Sequence, residues 1–172
     1  MQNPFIKYSL YFAVINVIAS LVIYLVSPEL LFNMYLGWFW VLALLVLMVL
    51  AIREKRIKTN GEISLQEGFK QSWITFALGM LFSMLFSYIL TNFIDPDLIE
   101  LQKDAQIAAI EKMAEAWNLP EESVEKQIDE INTKPTTGFG QLLIGYMIML
   151  LVGAIPSIIM AAIMKKSNDQ IA

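Results

Sequence analysis

Four long apolar runs alternate with polar segments along the chain. The runs contain no Asp, Glu, Lys or Arg and comprise residues 8–26, 36–52, 73–94 and 141–164. A helix needs about 20 mainly apolar residues to cross the hydrocarbon core of a bilayer, whereas a spanning strand needs roughly half as many. A helix also satisfies its backbone polar groups internally, as lipid requires. The pattern therefore predicts an all-α polytopic membrane protein in which residues 1–172 form one domain with four transmembrane helices.

The basic residues flank these runs unevenly. Lys7 precedes the first run, five basic residues lie between the second and the third, and Lys165 and Lys166 follow the fourth. The short connection 27–35 holds no basic residue. Because Lys and Arg are retained on the cytoplasmic side of membranes, we expect both termini in the cytoplasm and residues 95–138 on the opposite side.

The segment before the third run carries helix-start signals. Asn60-Gly61 is typical of a turn. Ser64 followed by Glu67 fits a capping box, in which the two side chains satisfy free backbone donors at the helix start. The sequence therefore predicts one long helix from about Ser64 to Ile94.

Residues 95–138 form an acidic insertion between the third and fourth runs. They hold eleven acidic residues and four lysines, a net charge of 4 − 11 = −7, which leaves +3 on the rest of the chain. Asp95-Pro96 predicts a helix start, with Asp95 as N-cap and Pro96 as first helical residue. Asn118-Leu119-Pro120 predicts a break, followed by a second helix at about 121–132 and a loop from Lys134 to Gly140. The expected structure is a helical hairpin.

The first insertion helix is apolar on two sides. One stripe consists of Leu98, Leu101, Ala105 and Ala108. A candidate interaction face on a broadly opposite side consists of Ile99, Ile107, Ile110, Met113 and Trp117. The second helix can cover only one side, so the other packs on the chain's own outer loop and the membrane interface, or binds a second copy or another protein.

Small residues recur at intervals of four in two of the runs. The candidate packing residues are Gly79, Ser83 and Ser87 in the third run and Gly153, Ser157 and Ala161 in the fourth. Helices in lipid associate through close approach at small residues. The two sets could therefore face each other within one chain or pair across a dimer.

Several kinds of chemistry lack their residues. The chain has no Cys and no His, which excludes zinc sites built on those ligands and a histidine general base. The apolar runs hold no carboxylate, and no nucleotide-binding Gly-rich motif occurs. Asp95 and Asp97 could hold a divalent cation, but helix capping and the helix dipole account for both. We therefore expect a protein that is not an enzyme, without catalytic residues, metal, cofactor or nucleic acid.

The layout resembles a known family. An N-terminal span, the segment GEISLQEGFKQSW before the third span, a span ending in Asp95-Pro96-Asp97, the acidic insertion and a Gly-containing last span together resemble the domain of unknown function 4199 family. These are small four-helix bacterial membrane proteins, mostly of Bacteroidetes. The resemblance implies an inner-membrane location and a periplasmic insertion, and it assigns no catalytic residue.

Three functions compete on this sequence. The first is a non-enzymatic envelope protein that acts through self-association of its periplasmic hairpin or its binding to another envelope protein. The alternative is a small transport protein, or an accessory subunit of a transporter, for an uncharged solute; its support is the polar group Ser83, Ser87, Thr91 and Asn92 near the outer half of the third span. An enzyme acting through carboxylates alone is the weakest candidate, because nothing places two of them about a cleft.

Overall fold

The computed structural model describes residues 3–133 and 138–166 as a helical protein. Its helices are α1 (Pro4–Val26), α2 (Met34–Lys58), α3 (Leu65–Ile89), α4 (Leu98–Trp117), α5 (Glu121–Thr133) and α6 (Phe139–Met164). A 3₁₀ turn at Pro28–Phe32 joins α1 to α2, and a π turn at Leu90–Ile94 extends α3. The described ranges contain no strand, and an antiparallel bridge pairs Ile63 with Lys166. The all-α prediction is confirmed.

Four helices are long and apolar enough to cross a membrane. They are Pro4–Val26, Met34–Lys58, Leu65–Ile94 and Phe139–Met164, which confirms the prediction of four helices that are long and apolar enough to span a bilayer. α2 extends beyond the predicted end at residue 52 because the charged residues that follow are good helix formers. Glu54 binds Lys58 one turn on at 2.8 Å and Lys7 of α1 at 2.7 Å.

The start of α3 follows the predicted local signals. Asn60 and Gly61 both adopt positive φ, at 56° and 91°, as a tight turn with these residues requires. Ser64 Oγ accepts a hydrogen bond from Glu67 N at 3.2 Å, and the capping box is complete. Together with the π turn, α3 gives the predicted continuous helix to Ile94.

α3 lies at the centre of the bundle and contacts α1, α2 and α6. Phe12, Leu44, Met48 and Phe76 from α1, α2 and α3 form the buried core cluster. Outside this cluster, large apolar side chains cover the helix surfaces, and their exposed fractions reach 80% at Leu25. Soluble monomers rarely expose apolar patches of this extent, so the outer surface suits a lipid environment.

The contact between α3 and α6 is made at small residues. Gly153, Ser157 and Ala161 are the buried residues of α6, and a Cβ on Gly68 of α3 would lie 3.2 Å from the Ala161 Cβ. Ser72 Oγ donates a hydrogen bond to the Ser157 carbonyl at 3.3 Å. The backbones can approach closely because no large side chain separates them.

The start of the acidic insertion differs from the prediction. α4 begins at Leu98 with Asp97 as N-cap, whereas Asp95 and Pro96 were expected as N-cap and first helical residue. Asp95 instead terminates the π turn, its backbone N donating to the Leu90 carbonyl at 2.8 Å. The π turn extends the helical structure of α3 through Ile94, so the next helix begins after Asp95 and Pro96, at Leu98. Residues 134–137 of the predicted return loop lie outside the described residues, and α6 begins within that loop at Phe139.

Gly153→Ala is expected to lower the free energy of unfolding by about 1–3 kcal/mol, because a Cβ at this position would overlap the Phe76 ring. Gly145→Ala in the same helix is the matched control, since nothing lies within 4 Å of a Cβ there. The control should leave stability unchanged or raise it by about 0.5–1 kcal/mol. Thermal unfolding of the two variants in the same detergent is the measurement, and equal stabilities would contradict the α3–α6 packing.

Candidate functional site

The first candidate site is the pair of helices α4 and α5, called here the acidic hairpin. The two helices contact each other, and α4 also contacts the 3₁₀ turn and the π turn. Val124, Ile128 and Ile131 are the half-buried residues of α5, and its other described residues are exposed. The apolar side of α5 therefore packs within the chain, and α4 is in contact with α5, the 3₁₀ turn and the π turn.

The candidate interaction face on α4 is only partly accessible. Ile99, Ile107 and Ile110 are half-buried. Met113 and Trp117 are exposed, with exposed fractions of 45% and 69%. The accessible apolar surface of this face is thus concentrated in the last turns of α4, next to the connection to α5.

A groove of about 500 Å³ lies between the end of α4 and the start of α5. We call it the acidic groove. It is lined by Glu111, Ala114, Glu115, Asn118, Leu119, Glu121, Val124 and Glu125. Four carboxylates therefore surround a short apolar floor, and no basic side chain belongs to the lining. Asn118 supplies the bend, because its left-handed conformation (φ 49°) ends α4.

The Asp95 carboxylate accepts two hydrogen bonds. Its Oδ1 accepts from Asp97 N at 3.2 Å, and its Oδ2 accepts from the Tyr24 hydroxyl at 3.0 Å. The carboxylate thereby joins the end of α1 to the turn that precedes α4. Asp97 makes no side-chain cap bond. Asp95, which was predicted as the N-cap, thus links α1 to the turn before α4. Asp97, which was predicted in the first turn, is instead the N-cap residue of α4.

The two predicted sets of small residues do not face each other within the chain. Gly153, Ser157 and Ala161 lie against Gly68, Ser72 and Phe76 of α3, whereas Gly79 faces Phe12 and Leu44, whose side chains lie 3.1 and 3.0 Å from a Cβ built there. Ser83 donates to Asn16 Oδ1 of α1 at 3.0 Å, and Ser87 is exposed.

The reason for this arrangement is the direction in which each residue projects from α3. Gly79 lies three residues beyond Phe76, which packs on Gly153 of α6, and therefore projects about 60° away from it around the helix axis, toward Phe12 of α1 and Leu44 of α2. Gly68 and Ser72 were missed as packing residues because they precede the apolar run. Their spacing of four, continued by Phe76, is a signal that the sequence does contain.

The second candidate site is a cavity of about 180 Å³ between α1, α2, α3 and the 3₁₀ turn. We call it the bundle cavity. Its polar lining residues are Asn16, Ser20, Ser83, Ser87 and Thr91. Its apolar lining residues are Ile23, Leu30, Leu31, Phe32, Leu36, Trp40, Phe86 and Leu90. Of the four polar residues predicted from the third span, Ser83, Ser87 and Thr91 line this cavity. Asn92 does not line it, but its side-chain amide donates a hydrogen bond to Thr91 Oγ1 at 3.0 Å.

The contribution of the 3₁₀ turn to this cavity was not predicted. Pro28–Phe32 was treated as part of a short connection, and its leucines and phenylalanine enclose one side of the bundle cavity. A sequence signal existed, since Leu30, Leu31 and Phe32 are too apolar for an exposed connection.

Comparison with known proteins gives a family and no function. No curated protein and no solved structure matches the chain. A family model described as protein of unknown function (DUF4199) matches residues 7–166, which is nearly the whole chain. The match includes all the residues of the acidic groove and the bundle cavity. The chain therefore belongs to the DUF4199 family.

Proposed function

We propose that the protein is a non-enzymatic envelope protein whose acidic hairpin binds a basic segment of another membrane protein on the outer side of a bacterial inner membrane. The observation that carries this proposal is the acidic groove, in which four glutamates lie around an apolar floor. The same turns of α4 also expose Met113 and Trp117. Exposed Trp and Met are enriched at protein interfaces.

The charge distribution supports a partner other than a second copy. Residues 95–138 carry a net charge of −7, so two hairpins that approach each other repel. Anionic lipid headgroups repel the hairpin in the same way. A segment with Lys or Arg residues flanking one or two large apolar side chains complements both the carboxylates and the floor of the groove.

The orientation follows from the charges at the two ends of the bundle. Five basic residues lie between residues 53 and 70, and Lys165 and Lys166 follow α6. Ile63 and Lys166 are joined by two backbone hydrogen bonds of 3.0 and 3.1 Å, which brings these basic segments to the same end of the bundle. With that end in the cytoplasm, α4 and α5 lie in the periplasm.

Labelling of single cysteines tests the orientation, because the chain has no Cys of its own. In spheroplasts, a membrane-impermeant maleimide should react with the Gln127→Cys variant at once and with the Gln66→Cys variant only after lysis. Both positions are exposed, so accessibility within the protein is matched. The reverse order of labelling would place the acidic hairpin in the cytoplasm and refute the proposed location.

In-cell photocross-linking tests the docking function. A photoreactive residue at position 117 should give an adduct with another membrane protein, and the cross-linked peptide identified by mass spectrometry should contain Lys or Arg. The same residue at position 127, on the exposed side of α5, is the matched control and should give little adduct. An adduct with a second copy alone, or equal yields at the two positions, would contradict the proposal.

Charge variants test the role of the acidic groove in the same experiment. Replacing Glu111, Glu115, Glu121 and Glu125 by Gln should reduce the position-117 adduct several-fold, because the attraction to a basic segment is lost. A control variant neutralises four exposed carboxylates outside the groove lining: Glu100, Asp104, Glu122 and Asp129. If the two variants reduce the adduct equally, only net charge matters and the groove is not the docking site.

A further inference from the structure

The bundle cavity has a polar side and an apolar side. All of its polar residues come from α1, from α3 and from the π turn, whereas α2 and the 3₁₀ turn contribute only apolar side chains. Asn16 and Thr91 are buried, with exposed fractions of 8% and 4%. The cavity is therefore a built amphipathic site inside a bundle whose outer surface is apolar.

The polar side retains unused hydrogen-bonding capacity. Asn16 Oδ1 accepts from Ser83, and Thr91 Oγ1 donates to the Ser87 carbonyl at 2.9 Å. Within the described ranges, the Asn16 amide nitrogen and the hydroxyls of Ser20 and Ser87 make no side-chain hydrogen bond. The Asn16 amide nitrogen can donate a hydrogen bond, and the Ser20 and Ser87 hydroxyls can both donate and accept. These groups therefore favour an occupant that can donate and accept hydrogen bonds.

The lining determines the charge and size of that occupant. No Asp, Glu, Lys or Arg lines the cavity, so nothing offsets the cost of desolvating an ion. The volume of about 180 Å³ is comparable with that of an engineered cavity that holds benzene, a molecule of six heavy atoms. The indole ring of Trp40 and the side chain of Leu36 offer an apolar wall for C–H groups.

We propose that the bundle cavity binds a small uncharged polyol of roughly the size of glycerol, with hydroxyl groups on Asn16, Ser20 and Ser87 and carbon atoms against Trp40. The π turn contributes to this site, because Leu90 and Thr91 belong both to the turn and to the lining. π turns within helices occur frequently at functional sites. The proposal is independent of the docking function, since no residue of α4 or α5 lines the cavity.

The test is saturation-transfer NMR of glycerol with the full chain in lipid nanodiscs. Wild-type protein should give a saturable signal. Ser20→Ala and Ser87→Ala should each weaken binding about three- to tenfold, the effect of losing one hydrogen bond. Ser20→Leu should abolish binding by filling the cavity, while Ser123→Leu, the same change on exposed α5, should leave binding unchanged.

Several results would overturn the proposal. Absence of a saturable signal with wild-type protein would mean that the cavity holds water alone. Unchanged binding to both the Ser20→Ala and the Ser20→Leu variants would mean that glycerol binds elsewhere. Glycerol 3-phosphate competing as well as glycerol would contradict the requirement for an uncharged ligand. Thermal unfolding without glycerol verifies the fold of each variant, and the two alanine variants carry the test if Ser20→Leu is unfolded.

Discussion

The close approach of α3 to its three neighbours is the constraint on which the rest of the bundle depends. Apolar side chains gain little by leaving lipid for another helix, so association in a membrane needs backbone proximity and polar contacts. α3 provides both. Gly68 lies against Ala161 of α6, and Gly79 lies against Phe12 and Leu44. One helix thus carries two small-residue surfaces that serve different neighbours.

Hydrogen bonds between helices reinforce these approaches. Trp73 Nε1 donates to the Leu150 carbonyl at 3.0 Å, and the Tyr146 hydroxyl donates to the Ala77 carbonyl at 2.9 Å. Each bond joins a side chain of one helix to a backbone carbonyl of the other, so both bonds depend on the distance between the α3 and α6 backbones. α6 can therefore pass through Pro156 as one continuous helix, because α3 holds it on both sides of the proline.

The two ends of the bundle differ in chemistry because they differ in packing. At the basic end, Glu54 contacts Lys7 and Lys58, which fixes α1 against α2. At the other end, small polar residues of α1 and α3 occupy positions where large side chains would fill the interior. The space that remains is the bundle cavity, and the 3₁₀ turn encloses it. The acidic hairpin extends from the same end, since α4 contacts both the 3₁₀ turn and the π turn.

The sequence by itself determined which segments are helical and how the charges are distributed. Apolar length, the Ser64 cap and the Asn118 break act within a few residues of chain, so local physics decides them. Only the tertiary structure decided which surfaces meet. The partner of Gly153, Ser157 and Ala161 depends on the rotation and crossing of α3 and α6, which a spacing of four leaves open. The Tyr24–Asp95 bond and the enclosure of the cavity by Leu30 and Phe32 likewise arise between segments distant in sequence.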